Sequence, residues 1–174
     1  LPSPAGAKRP AYLVPAAQTV GALDRPDPML IVGLQGMRDF YPALIADNLG
    51  KQGVSARAAF VPISEITDRR DANTIHLAQA FEQPQRRRRF AEALARLVRP
   101  GERIGLPAIL GLDDHATVLS DLQAIAGAPV FEIPTLPPSV PGSRLYRALR
   151  SRLRQYGVRI EAGMEVIGFS GGGK

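Results

Sequence analysis

The chain has 174 residues, 45% of them hydrophobic, with a formal net charge of +6 and neither cysteine nor tryptophan, and its length suits one domain with a sizeable core. The missing cysteines exclude disulfides, thiolate catalysis and cysteine-ligated metal or iron–sulfur sites; two distant histidines, His76 and His115, offer little to a histidine metal site. No run approaches the ~20 apolar residues that span a bilayer, and the arginine excess, densest at 86–89 and 144–154, suits an anionic partner without choosing among nucleic acid, lipid and phosphorylated metabolite.

Residues 1–27 are rich in Pro and Ala and read as an irregular arm, with one edge strand at Tyr12-Leu13-Val14. Met29-Leu30-Ile31-Val32 is a short continuous apolar run, the mark of a strand buried on both faces. After Gly33 and Gly36, Asp39 is placed to cap a helix. That helix has Tyr41, Leu44, Ile45 and Leu49 on its apolar face and stops at Gly53. A strand over 54–61 completes a β-α-β unit. A helix is expected over 74–81, with Pro84 ending or kinking it. Phe90, Leu94, Leu97 and Val98 then form an amphipathic stripe.

The third strand spans 103–106 and is open to resumption at 108–110. Asp113 or Asp114 caps a helix carrying Val118, Leu119, Leu122 and Ile125, closed by Gly127. A fourth strand covers 130–133. A proline-rich loop follows, then a helix from about 143 to 156 whose expected buried face is Leu145, Tyr146, Leu149, Leu153 and Tyr156. Further strands are expected at 158–160 and 165–169. The alternation predicts an α/β three-layer sandwich with a mostly parallel sheet, flavodoxin- or Rossmann-like in outline but lacking a dinucleotide fingerprint. The expected organisation is an arm over 1–27, an α/β domain over 28–169 and a truncated Gly-rich turn over 170–174. Both termini read as those of an excised segment.

In parallel sheets, ligands bind beyond the carboxyl ends of the strands, and three such ends stand out. Gly33 and Gly36, with Arg38 beside them, either make a tight turn or let backbone N–H groups meet an anion. A lone G-x-x-G is not specific. Asp113, Asp114 and His115 form either an acid/base group or a helix cap, and capping is preferred. The loop 134–145 holds four prolines in eight residues, which stiffens it. Thr135, Ser139 and Ser143 offer hydroxyls and Arg144 a bidentate donor. The same loop also reads as a rigid connector with Ser143 as cap. The Arg86–Arg89 run reads as a largely solvated helix face. Stacking aromatics and RNP-like motifs are missing, so nucleic acid is not an expected partner.

The string Pro134-Thr135-Leu136-Pro137-Pro138-Ser139-Val140, with Gly142, Arg144 and Leu145, resembles a motif of the B-type chains of anaerobic glycerol-3-phosphate dehydrogenase, a family of flavin-dependent oxidoreductase subunits. Ile31-Val32-Gly33, Gly36 and Asp39-Phe40 agree with it in order and spacing, as do Leu106-Pro107-Ala108, Gly111-Leu112 and Asp114. The resemblance implies the middle region of a longer protein: a cap or substrate-side domain closing over an FAD domain built from flanking segments. It implies oxidation of glycerol 3-phosphate to dihydroxyacetone phosphate, with electrons passing towards quinone. The parent would be cytoplasmic, in a complex at the inner face of the membrane.

The expectations are therefore FAD in the parent protein and none in this segment, which would be inactive alone. The implied partners are the FAD domain of the same parent chain, other dehydrogenase subunits and a small phosphorylated substrate. Thr135, Ser139 and Arg144 are the expected contacts to substrate phosphate or to the FAD domain. Gly33, Gly36 and Arg38 make a second anion site. No catalytic residue is assigned and no metal is expected. The alternative is a stand-alone α/β module that binds a small phosphorylated ligand without redox chemistry.

Overall fold

An apolar run buried on both sides needs partners on both edges and both faces, and the computed structural model of the chain, which describes residues 1–69, 71–165, 167 and 168, supplies them. Strand β1 (Met29–Gln35) is buried over its first six residues. It pairs in parallel with β2 (Ala56–Pro62) on one edge and β3 (Arg103–Pro107) on the other, and β3 pairs in parallel with β4 (Val130–Ile133). The strand order is β2-β1-β3-β4. The chain thus reverses its direction across the sheet after β2. Right-handed crossovers then put the first helix on one face and the later ones on the other.

The alternation along β1 shows both layers. Met29 and Ile31 pack with Ile45 and Leu49 of α1 (Pro42–Gly50) and with Phe131 and Ile133. A 3-10 helix, Ala16–Gly21, closes that side. Leu30, Val32 and Leu34 point the opposite way, into a larger core with α2 (Thr74–Ala80), α3 (Pro84–Ala95) and α4 (His115–Ala126). There Phe81 and Phe90 meet edge to face, 5.3 Å between ring centroids. Each such buried ring contributes about 2–3 kcal/mol. The expected three-layer α/β sandwich is the observed architecture, and the strand pairings are all parallel among the described residues.

Several expectations are corrected. The arm has no strand at 12–14: Tyr12 and Leu13 are exposed at 100% and 86%. The end of the arm is held instead by Arg103, whose buried guanidinium donates to the carbonyls of Val20, Ala22, Arg25 and Asp27, and its start by Asn48 and Gln52, which donate to the carbonyls of Ala5 and Gly6. Asp39 does not cap α1. The cap residue is Tyr41, without a side-chain bond, and Pro42 opens the helix, its fixed φ suiting the first turn. Strand β2 starts at residue 56 because Val54 still donates its N–H to Leu49 at the end of α1. Pro84 starts α3 after a short turn. Residues 108–110 do not extend β3.

Within the arginine run, Arg88 and Arg89 are exposed. Arg87 is buried, with Nη1 donating to the Phe81 carbonyl and Nη2 2.8 Å from Asp121 of α4. The last helix, α5 (Val140–Gln155), begins three residues earlier than expected because Ser139, not Ser143, caps it. Its expected buried face is exposed throughout, and Val140 is its buried residue. No strand forms at 158–160. Of the expected strand 165–169, residues 165, 167 and 168 are described and lie outside regular structure. The expected tail 170–174 lies outside the described residues. Among the described residues no helix is long and apolar enough to cross a membrane.

Candidate functional site

The carboxyl ends of the strands carry a cleft of about 760 Å³ lined by Gly36, Met37, Arg38 and Asp39, by 71–74, and by Leu136, Pro137 and Pro138. Two segments more than 90 residues apart in the chain, the β1–α1 turn and the proline loop, face each other there. The first residue of α2 braces the loop: Thr74 Oγ1 donates to the Pro138 carbonyl at 2.5 Å. Asn73 and His76 close a reciprocal cap at the start of α2.

Each expected site residue has a definite place. Gly36 lines the cleft with φ +103°, a conformation that L side chains rarely adopt. Arg38 is exposed at the cleft and has no ion pair or hydrogen bond among the described residues. Asp39 is exposed beside it. Across the cleft, a hydrogen bond from Arg69 holds the Asp71 carboxyl below the ordinary carboxylate range.

Gly33 is not in the cleft. A Cβ there would lie 2.7 Å from Pro42 Cγ, so its smallness serves strand–helix packing. Thr135 Oγ1 is enclosed and lacks a hydrogen-bond partner among the described residues. Ser139 Oγ accepts from Gly142 N–H at 3.1 Å as the α5 cap and lines a separate groove with Ile75, Leu112 and Tyr146.

Arg144 is drawn inward rather than towards a ligand. Nε donates to Gly111 O, Nη2 to Leu110 O and Glu132 Oε1, and Nη1 to Glu132 Oε2 at 2.6 Å. Four of its five N–H groups are thereby committed within the protein. The expected contact between Arg144 and substrate phosphate is not what this geometry favours: the residue ties α5 to β4 and to the β3–α4 loop.

Two residues escaped the sequence reading. Glu132 on β4, 2% exposed, accepts from Arg144 and from Leu110 N–H. A single acid inside a four-residue buried strand was the available signal. Glu82 Oε1 accepts from Leu112 and Asp113 N–H at 2.7 and 3.0 Å and fixes the β3–α4 loop. In that loop Asp114 caps α4 as preferred, and the Thr117 bond holds its carboxyl below the ordinary range. Asp113 pairs with Arg147. No cluster that could hold a metal ion occurs among the described residues.

The FAD binding domain family matches residues 2–170. The B chain of anaerobic glycerol-3-phosphate dehydrogenase from Yersinia pestis bv. Antiqua (strain Antiqua) is 36% identical over 172 residues, 95% of this chain and 40% of that protein. Its counterpart in Pectobacterium atrosepticum is 36% identical over 95% of this chain and 41% of its own. That of Glaesserella parasuis is 31% identical over 89% and 39%. The chain thus spans about 40% of the length of these relatives. No solved structure matches.

The family match points to FAD in this region, against the expectation that this segment holds no cofactor. The β1–α1 turn is nevertheless not built for the diphosphate of a dinucleotide. It lacks G-x-G-x-x-G. Gly33 is filled by the Pro42 ring, and proline in the first turn of α1 removes one of the N–H groups that would meet the anion.

Proposed function

The chain belongs to the FAD binding domain family, and from that premise we propose that it forms the substrate-side part of a flavin-dependent glycerol-3-phosphate dehydrogenase polypeptide. In this reading the parent protein converts the C2 alcohol of glycerol 3-phosphate to the ketone of dihydroxyacetone phosphate. The two electrons go on through partner subunits towards quinone at the inner face of the cell membrane. The diphosphate of FAD is held by the rest of the parent polypeptide, and the segment alone does not turn over.

One observation carries the assignment of the site: the meeting of the β1–α1 turn and the stiff proline loop at one cleft on the carboxyl edge of a parallel sheet. The names of the relatives support the substrate class. Arg38 is the group proposed to meet the substrate phosphate, since it is exposed at the cleft without an ion-pair partner among the described residues. Gly36 gives close backbone approach. Thr135 offers an unpaired hydroxyl behind the loop, and Ser139 and Arg144 hold the loop and α5 in register.

The test is dye-coupled oxidation by the purified parent polypeptide. Glycerol 3-phosphate should be oxidised with a KM far below that for glycerol, because the phosphate supplies the charge that Arg38 recognises. Equal KM values for the two alcohols, or no turnover of either, would overturn the reading. Micromolar binding of glycerol 3-phosphate by the 174-residue chain alone would favour the stand-alone module instead.

A further inference from the structure

Helix α5 presents an amphipathic surface that is uncovered among the described residues. Leu145, Leu149 and Tyr156 form a stripe exposed at 61%, 55% and 69%, flanked by Tyr146 and Leu153 at 53% and 43%. Among the described residues the helix is anchored in its first half, through Val140, Arg144 to Glu132 and Arg147 to Asp113, and Tyr146 and Arg150 line a groove with Ile75 and Leu112. From Ala148 onwards it makes no hydrogen bond to another element among the described residues. Helices of this length are marginal in water and draw their stability from a packed apolar face. Contiguous exposed apolar stripes mark interaction surfaces.

Charge narrows the occupant. Residues 140–155 contain five arginines and no acid. Arg144 and Arg147 are paired internally, whereas Arg150, Arg152 and Arg154 have no carboxylate partner among the described residues. A second copy would set like charges against each other, which disfavours self-pairing. More than half of each relative's length lies outside the matched region. A surface on the same polypeptide docks at high effective concentration.

We propose that the Leu145–Leu149–Tyr156 stripe of α5 is the interface on which the remainder of the parent polypeptide docks, through an apolar groove rimmed by carboxylates that pair with Arg150 and Arg152, the arginines flanking the stripe. This rests on the proposed function only in taking the chain as one part of a longer protein. Docking there would set the orientation of α5, and through Arg144 and Glu132 that of the proline loop, against the rest of the parent.

The experiment uses the full parent polypeptide with the photoreactive residue p-benzoylphenylalanine in place of Leu149. Irradiation should give intramolecular cross-links whose second partner lies outside this 174-residue segment. Cross-links confined to the segment, a covalent dimer, or cross-linking only to vesicles of phosphatidylcholine and phosphatidylglycerol would overturn the proposal. The last would mark α5 as a lipid-surface helix. As a second readout, Leu149→Ala should lower the Tm of the parent by about 3 °C or more, and an unchanged Tm would contradict the interface. Flavin content and dye-coupled turnover of the unsubstituted parent report separately on the redox reading.

Discussion

Arg144, in the second turn of α5, and Glu132, in the middle of β4, form a two-pronged ion pair: Nη1 lies 2.6 Å from Oε2 and Nη2 2.9 Å from Oε1. The carboxylate is 2% exposed and also accepts from Leu110 N–H, so one buried acid ties β4, the β3–α4 loop and α5 together. Removing one partner strands the other charge. Arg144→Met should therefore cost about 3–5 kcal/mol in urea unfolding, and Glu132→Gln a comparable amount. The double variant Glu132→Gln/Arg144→Met should cost clearly less than the sum of the two, because neither charge is then left buried alone.

Glu102 and Arg57 form a second pair, Nε to Oε1 at 2.6 Å and Nη2 to Oε2 at 2.7 Å. The Arg57 bonds hold the Glu102 carboxyl below its ordinary value. A carboxyl with a depressed folded pKa stabilises fully above its unfolded pKa, about 4.3, and loses that contribution as pH falls through the folded value. The urea midpoint should fall more steeply between about pH 5 and pH 3 in the wild type than in Glu102→Gln. Parallel curves would remove Glu102 from the acid transition.

Arg103 is 1% exposed and has no carboxylate partner among the described residues; carbonyls of the arm surround its guanidinium, and burial lowers its pKa from the ordinary value. Arg103→Met should loosen residues 20–27 of the arm, whose start Asn48 and Gln52 still hold, while leaving the sheet in place. Thermolysin should then cut before Val20 and Leu23 at least several-fold faster, with a stability loss of about 2–4 kcal/mol for the unmade hydrogen bonds. Unchanged cleavage would mean the 3-10 helix holds the arm without Arg103.

Ser139 caps α5 with one hydrogen bond to Gly142 N–H. Ser139→Ala should cost about 1 kcal/mol, and Ser143→Ala less, since the Ser143 hydroxyl only bonds back to the Ser139 carbonyl. Circular dichroism through a urea titration separates the two. Equal losses would return the cap to Ser143.

The sheet was legible because its strands are buried on both faces. Runs such as 29–32 and 130–133 cannot sit in a half-exposed antiparallel sheet. Asp114 was legible as a cap from its place before an apolar helix. The start of α5 was not: Pro141 and Gly142 read as breakers, yet proline is welcome in a first helical turn. The α5 stripe has the amphipathic period of a packed helix, yet it is exposed here. Periodicity reports which face wants cover, not whether the same segment provides it. Arg144 looked like a free phosphate ligand because its partner, Glu132, was hidden in a strand whose other residues are apolar. The closeness of Gly36 and Arg38 to Leu136, Pro137 and Pro138 depends on strand order, which local patterns do not encode.

If the cleft between the β1–α1 turn and the proline loop receives the substrate phosphate, Arg38→Ala in the full parent polypeptide, assayed by steady-state kinetics with glycerol 3-phosphate and a dye acceptor, should raise KM about tenfold and leave kcat nearly unchanged, the signature of lost uniform binding to a non-reacting group. An unchanged KM in a folded Arg38→Ala protein would place the substrate phosphate elsewhere.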